Sequence, residues 1–241
     1  MQKFQLKLSL DNHKISKKQR SKMIDWIIEV LSIFNQGPRT VFRAILLLEL
    51  FLKKTKRSQG VADLHLLGVV CMFLASKQEE VRILKFKSVF EDICKFKFTR
   101  QQILEKEREV CSVLRFNLNA GTMFEYTTSL FSLLDLPKPF AESVRKYSIL
   151  LQKMFLFSYN IMNVYRFEEL AVYSTIISMK LFEHSNPGFS SLKSIQKILK
   201  LSGVDKSQIL DNLNFLRDYA SDFQQKFPFN NLQINGESTA H

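Results

Sequence analysis

Two short stretches of this chain repeat one pattern 103 residues apart. Leu67–Lys77 reads LGVVCMFLASK, and Leu170–Lys180 reads LAVYSTIISMK. In each stretch small residues recur every three or four positions: Gly68, Cys71 and Ala75 in the first, Ala171, Ser174 and Ser178 in the second. Such a stripe lets neighbouring helices approach closely while large apolar side chains fill the other faces. The sequence therefore predicts two related helical units, each built around one surrounded helix.

A second, shorter match has nearly the same interval. Gln101–Lys106 (QQILEK) corresponds to Ser207–Asn212 (SQILDN). The chain has only 7 Gly and 5 Pro among its 241 residues, so turns are few, and its apolar residues follow helical rather than alternating spacing. Together these features predict an all-α fold of two tandem five-helix repeats.

Helix boundaries follow from capping and breaking residues. Pro38 suits a first helical turn, and Thr99 with Gln102 has capping-box spacing. The predicted helices are about 18–35, 38–54, 64–81, one within 84–96, and 99–116, then 122–134, 140–157, 166–183, 190–200 and 205–226. The predicted divisions are an N-terminal segment (1–17), a first unit (18–120), a second unit (121–228) and a loose polar tail (229–241).

Several function classes are disfavoured by the sequence. Cys71, Cys94 and Cys111 show neither CxxC spacing nor nearby histidines, so we expect reduced thiols and neither zinc, disulfide nor cofactor. The four histidines and scattered acids assemble no nucleophile–base pair, so we expect no catalytic activity. The N-terminus lacks an apolar signal core, and the stretch AILLLELFL is too short for a bilayer and contains Glu49. We therefore expect a soluble protein of the nucleus or cytoplasm, without a membrane partner.

The net charge of +12 raises the possibility of nucleic-acid binding. The basic residues are spread over most helices, which is more typical of solvated faces, so we do not expect nucleic acid as a partner. One cluster, KKTKR at 53–57, resembles a short nuclear-import signal. It also suits the end of a helix, where cations complement the dipole.

Four consecutive motifs resemble a known family. They are QRSKMIDWIIEV at Gln19–Val30, then LLLELFL, then LHLLGVVCMFLASKQEE, and finally FTRQQILEKEREVCSVLRFNL. In this order and spacing they are similar to the cyclin box of the A-, B- and D-type cell-cycle cyclins, over about residues 19–120. The second half resembles the family's second repeat only in pattern. The resemblance implies a non-catalytic subunit that binds and activates a cyclin-dependent protein kinase and helps choose its substrates.

The resemblance also implies a kinase-binding surface. Lys77 and Glu107 match the family's Lys and Glu that reach the backbone around the kinase's C helix. The other residues assigned to this surface are Leu74, Gln78, Cys111, Phe116 and Leu118. Gln78 stands where the family usually has Phe, and Cys111 where it has Leu, which would weaken the interface or change its partner. On spacing alone, Lys77 could instead complement a helix C-terminus while Glu107 lies on a wet face.

Two further sets of residues follow from the same resemblance. Arg20 and Glu49 match a buried ion pair within the first repeat, with Glu in place of the more usual Asp. The family's shallow groove for Arg-x-Leu peptides of substrates and inhibitors corresponds to Gln19, Lys22, Met23, Trp26, Glu29, Leu64 and His65. Trp26 could equally be a core residue. Lys22 would repel the peptide's Arg, which argues against this docking here.

Two alternatives stay open at the level of sequence. One is a DNA-binding protein of the transcription factor IIB type, which also uses two helical repeats; its usual zinc ribbon is missing, but the positive charge fits. The other is a divergent cyclin-fold scaffold that has changed partner, which the polar Gln78 would favour.

Overall fold

The computed structural model describes residues 10–204 and 208–226, and within them the chain is helical with no strand. In the first unit the helices are α1 Lys17–Ile33, α2 Pro38–Lys54, α3 Val61–Glu79, α4 Phe86–Ser88 and α5 Arg100–Val113. In the second they are α6 Met123–Ser132, α7 Lys138–Phe157, α8 Tyr159–Val164, α9 Phe167–Ser185, α10 Leu192–Ser202 and α11 Ile209–Lys226. The units divide between Thr122 and Met123. The predicted tail, 229–241, lies outside the described residues.

Local sequence explains where the first helices begin. Pro38 occupies the first turn of α2, and Thr99 forms a capping box with Gln102 at the start of α5, which confirms both predictions. A further capping box, between Ser16 and Gln19, begins α1. Each box satisfies backbone N–H groups that have no partner inside the helix.

The first repeated stretch lies in α3, which is the centre of the first unit. This helix packs against α1, α2 and α5, and its middle is buried. At Gly68 a built Cβ would lie 2.5 Å from the Sδ of Met23, so glycine allows α1 to approach closely. α3 is also the one described helix long and apolar enough to cross a membrane, but its apolar side chains are those of the unit's core.

The second repeated stretch lies in α9, which occupies the same place in the second unit. It packs against α6, α7, α10 and α11. All six small residues of the two stripes are buried, namely Gly68, Cys71, Ala75, Ala171, Ser174 and Ser178. The predicted central helices are thus confirmed.

Two elements differ from the sequence prediction. In the second unit the described residues form six helices rather than five, because the chain turns at Ser158 and begins the short α8, whose first turn is capped by the Ser158 hydroxyl. In the first unit the fourth helix is a three-residue α-helical turn that widens into a π-helical turn, Val89–Ile93. Lys95 and Phe96 then take positive φ angles of 47° and 59°, which end it.

Candidate functional site

A charged pair joins the end of α3 to α5. The Lys77 ammonium lies 2.5 Å from Oε1 of Glu107, although 30 residues separate them in sequence. Lys77 is 37% exposed and Glu107 is 16% exposed. The two residues singled out by the resemblance therefore lie together, at the surface of the first unit.

The surroundings of this pair hold the ammonium in place. Lys77 Nζ also lies 3.8 Å from the centre of the Phe73 ring, a cation–π distance. An ammonium has three N–H donors, and the contact with Glu107 occupies one of them. The pair can therefore keep its internal bond and still offer N–H groups and a carboxylate oxygen to a partner's backbone.

The other residues of the predicted kinase-binding set are placed differently from one another. Gln78 is exposed, and its amide donates to Asn119 Oδ1 at 3.4 Å. Cys111 lies near the charged pair, and burial, with the Glu107 charge, raises the pKa of its thiol. Phe116 is 76% exposed at a positive φ of 55°, and Leu118 is half-buried. Leu74 is only 5% exposed and lies beneath the surface.

Arg43 of α2 connects several parts of this surface and was not singled out from the sequence. Its Nε donates to Glu79 at 2.7 Å, and its Nη1 donates to the carbonyls of Leu118 at 3.1 Å and Ala120 at 2.5 Å. One buried guanidinium thus ties the end of α3 to the segment after α5. Such charge-assisted bonds are stronger than neutral ones, so Arg43 fixes the backbone on which the predicted residues sit.

The loop after α3 is held by two further side chains. The Glu80 carboxylate accepts from the backbone N–H of Gly37 at 2.6 Å and from the Thr40 hydroxyl. The buried Ser76 hydroxyl donates to Gln36 and accepts from the backbone N–H of Leu84. The abrupt change from apolar to charged residues at the end of α3 therefore supplies the side chains that anchor this end to its neighbours.

Arg20 and Glu49 form a contact inside the first unit. Arg20 Nε lies 2.5 Å from Glu49 Oε1, and the two side chains are 0% and 2% exposed. Burial raises the pKa of Glu49, while the adjacent guanidinium opposes that rise. The pair links α1 to α2 far from solvent, so its contribution is to the fold rather than to a surface.

The predicted docking groove centres on an aromatic cluster. Trp26 and His65 are edge to face with ring centres 4.9 Å apart, and His65 meets Phe98 at 5.3 Å. Lys97 Nζ lies 3.2 Å from His65 Nδ1. Burial and the Lys97 charge lower the pKa of His65. Phe98 and Lys97 were not anticipated from the sequence, and Lys97 adds positive charge to this surface.

The remaining predicted groove residues have mixed environments. Gln19 caps α1, and Met23 packs over Gly68. Leu64 is 2% exposed, so it lies under the groove rather than in it. Lys22 and Glu29 are exposed. Peptide docking to this surface stays a prediction.

The basic cluster at 53–57 lies at the end of α2, where all but Thr55 are exposed. The three cysteines are free thiols. Within 10–204 and 208–226, no group of three or more His, Cys, Asp or Glu side chains is placed to hold a metal ion.

The fold and this surface define a class: a two-repeat helical protein with a charged link between the third and fifth helices of its first repeat. A sequence description of the family "Cyclin, N-terminal domain" matches residues 2–119. The chain belongs to the cyclin family.

Characterised relatives are also cyclins. Cyclin-B2-2 of Arabidopsis thaliana is 36% identical over 117 residues, which cover 46% of this chain and 25% of that protein. G2/mitotic-specific cyclin-B1 of Caenorhabditis elegans is 26% identical over 214 residues, covering 83% of this chain and 56% of that protein. The chain thus spans about a quarter to about half the length of these relatives.

Solved structures show the same fold. A viral cyclin from herpesvirus saimiri superposes with a TM-score of 0.72 at 14% identity, covering 87% of each chain. A chain in the CAK complex of Chaetomium thermophilum bound to ATP-gamma-S gives a TM-score of 0.55 at 11% identity, covering 87% of this chain and 63% of that one.

Proposed function

We propose that this cyclin is the regulatory subunit of a cyclin-dependent protein kinase, which it binds through the end of α3 and the outer face of α5 and thereby activates. The observation that carries the proposal is the Lys77–Glu107 pair, whose 2.5 Å contact lies at the surface of the cyclin N-terminal domain. Cyclins are regulatory subunits rather than enzymes, which agrees with the proposal.

The arrangement suits recognition of a helix end or a backbone segment. Lys77 can donate to partner carbonyl groups while Glu107 accepts from partner N–H groups, and Arg43 holds the α3 end and the segment after α5 in register. Because the cation and anion are already together, little side-chain entropy is lost when the partner binds. Exposed Phe116 adds an apolar contact at the edge.

Activation is then a shift between kinase conformations. The cyclin would hold the kinase's C helix inward, so that the Lys–Glu pair that positions the ATP phosphates forms. Shifting a conformational equilibrium from 1:99 to 99:1 needs about 5.5 kcal/mol of preferential binding. A broad interface with several apolar and charge-assisted contacts supplies energies of this order.

The test is reconstitution with purified cyclin-dependent kinases from the native source. Affinity and phosphorylation of a peptide substrate would be measured for the wild type, Lys77→Ala and Glu107→Ala. Truncating one member of a desolvated charge pair weakens binding about thirtyfold or more, so we expect at least that loss in both variants.

The repeat provides a matched control. Lys180 is the counterpart of Lys77 in the second unit, and it forms an ion pair of 2.8 Å with Glu183. Lys180→Ala removes the same charge and should leave affinity and activation unchanged. If all three variants equal the wild type with every kinase tried, the proposed surface is wrong.

The competing nucleic-acid function is tested separately. Affinity for a duplex DNA of mixed sequence would be followed against salt concentration. A true DNA binder would show a steep fall of the logarithm of affinity with the logarithm of salt concentration, together with preference for one site, and we expect no site preference.

We also propose that the exposed cluster at 53–57 directs nuclear import. Replacement of its four basic residues by Ala would then abolish nuclear accumulation of a fluorescent fusion.

A further inference from the structure

The second unit contains a cavity that the proposed kinase-binding function does not use. It has a volume of about 320 Å³ and lies between α6, the first turns of α9 and the end of α10. Its apolar wall is made by Leu130, Leu133, Val172, Leu201 and Val204. Leu133 and Leu201 are 50% and 54% exposed, so apolar surface continues outward from the cavity.

The polar part of the wall is acidic. Arg166 is bonded to Glu169 at 2.6 Å through its guanidinium and at 2.8 Å through its backbone N–H, so these two charges offset each other. The charge of Glu168 also acts on Arg166, so the three charged side chains together carry one net negative charge, and Glu168 lies against the hydroxyl of Tyr126. Burial, together with the charge and hydrogen bond of Glu168, raises the pKa of Tyr126 to about 12. The wall therefore combines aliphatic surface with one net negative charge.

The internal repeat makes this charge informative. The interval of 103 residues that separates Leu67 from Leu170 also separates His65 from Glu168. In the first unit this position faces Lys97 at 3.2 Å, on a positively charged surface. In the second unit the same position carries a carboxylate beside an open cavity. The two repeats thus present opposite charges at equivalent places.

We propose that the α6–α9–α10 cavity binds a peptide segment that carries an Arg or Lys close to an aliphatic side chain. The cation pairs with Glu168, and the aliphatic group enters the space lined by Leu130 and Val172. An ion pair that is partly shielded from water by aliphatic walls is stronger than one on an open surface.

The size and shape favour a peptide over a compact small molecule. A volume of about 320 Å³ is at the lower end of ligand pockets and accommodates one or two side chains. Exposed Leu133 and Leu201 extend the apolar surface beyond the mouth of the cavity. The residues of a bound peptide that flank the inserted side chain would cover this surface. The site is therefore suited to one inserted side chain with flanking contacts.

The experiment uses the full chain and fluorescein-labelled synthetic peptides containing one Arg and one Leu separated by zero, one or two alanines. Matched peptides have Glu in place of Arg, or Ser in place of Leu. Fluorescence polarisation measures affinity, and methyl NMR locates the peptide. We expect at least one Arg–Leu peptide to saturate with a Kd below about 1 mM and both matched peptides to bind at least about tenfold more weakly.

Three variants separate charge from shape. Glu168→Lys should weaken the Arg–Leu peptide about tenfold or more, whereas Glu105→Lys, an equal charge change on exposed α5, should leave the Kd unchanged. Ser129→Trp places a ring at the cavity wall without changing charge and should also block binding. Glu168→Gln, which keeps the side-chain size, replaces Glu168→Lys if the latter does not fold.

Each contrary outcome overturns the proposal. The proposal is wrong if none of the Arg–Leu peptides shows saturable binding. It is also wrong if the peptides with Glu in place of Arg bind with equal affinity. Methyl shifts around Leu64, which lies beneath the predicted groove of the first unit, instead of around Leu130 and Val172 would overturn it as well. The measurement needs no kinase, so its result is independent of the proposed regulatory function.

Discussion

The same lysine position does different things in the two repeats. Lys77, at the end of α3, reaches across to Glu107 of α5, whereas Lys180, at the end of α9, pairs with Glu183 one turn further along its own helix. When QQILEK of α5 is aligned with SQILDN at the start of α11, the residue that corresponds to Glu107 is Leu213, which carries no charge. Among the residues that the structure describes, the charged link between the central helix and the matched QIL helix is therefore found in the first repeat and not in the second, at the surface where the kinase contact is proposed.

A second contrast lies in the cores. Glu49 and Gln152 are also 103 residues apart, and each lies on the second helix of its repeat. Glu49 binds a buried arginine of α1, but the Gln152 amide donates to Thr127 of α6, with a second bond to Ser174 of α9. Each repeat thus has a buried polar contact between its first two helices, which is an ion pair in the first repeat and a neutral hydrogen bond in the second.

Replacing Arg20, the cation of the buried ion pair in the first unit, should have the largest effect on stability. Arg20→Met would leave Glu49 buried without its guanidinium, and breaking a buried pair in this way costs about 3–5 kcal/mol. Urea unfolding at neutral pH measures this loss in the free energy of unfolding.

The double variant Arg20→Met with Glu49→Leu is the control. It removes both charges, and it should recover most of the loss because an apolar pair of similar volume replaces a desolvated ion pair well. A single Arg20→Met variant as stable as the wild type would contradict the structural role of this pair.

Introducing a charge at Gln152, the position of the second unit that matches Glu49, should reduce stability somewhat less. Gln152 is fully buried, and its hydrogen-bond partners Thr127 and Ser174 are uncharged, so Gln152→Glu should lower the free energy of unfolding by about 3 kcal/mol at neutral pH. Burial raises the pKa of Glu49 even beside Arg20, so it would also raise that of Glu at 152. The folded state then holds a proton that the unfolded state releases above about pH 4.5, and stability falls as pH rises from there.

The neutral variant Gln152→Met separates charge from lost hydrogen bonds. The Oε1 of Gln152 is buried and makes no hydrogen bond, so replacing this amide by Met should lower the free energy of unfolding by only about 1 kcal/mol. This cost should be the same at pH 5 and pH 7. A Gln152→Glu variant with equally flat pH dependence would show that water or a cation reaches this position.

A smaller effect is expected at the end of α9. Glu183 accepts from Lys180 and from the backbone N–H and hydroxyl of Ser191, and these bonds lower its pKa to about 2. A carboxylate with a depressed pKa stabilises the fold fully above about pH 4.5, and that stabilisation is lost as pH falls through 2. Glu183→Gln should therefore be less stable than the wild type at neutral pH. The difference in unfolding midpoint should shrink as pH falls below 4; a constant difference would assign the effect to packing.

Much of this architecture was predictable because it depends on local pattern. The stripes through Gly68 and Ala171 identified the two central helices, and Pro38 and Thr99 marked helix starts. The end of the long helix at 157 was predicted, but the short helix α8 within the sequence SYNIMNVYR was not, because six residues are too few for a helical spacing of apolar side chains to show.

The candidate site was predictable only in part. Lys77 and Glu107 were identified by resemblance, since no local pattern relates residues 30 apart. Arg43 was missed because it lies within an otherwise apolar helix, and its partners at Glu79 and beyond α5 become neighbours only when α2, α3 and α5 pack together. Lys97 escaped notice for the same reason, since its contact with His65 depends on the path of the loop after α4.

The smallest expected effect on stability is that of the Lys77–Glu107 pair. A double-mutant cycle of Lys77→Ala and Glu107→Ala should give a coupling energy of about 0.5 kcal/mol for unfolding, because the lysine is 37% exposed and partly solvated pairs contribute little. The same cycle measured on kinase affinity should give a coupling several times larger, because a partner that covers the pair removes water from both charges. A pair maintained for the fold would show the reverse, a large coupling in unfolding and none in binding. Comparing the two cycles therefore separates a recognition contact from a structural one within one set of three variants.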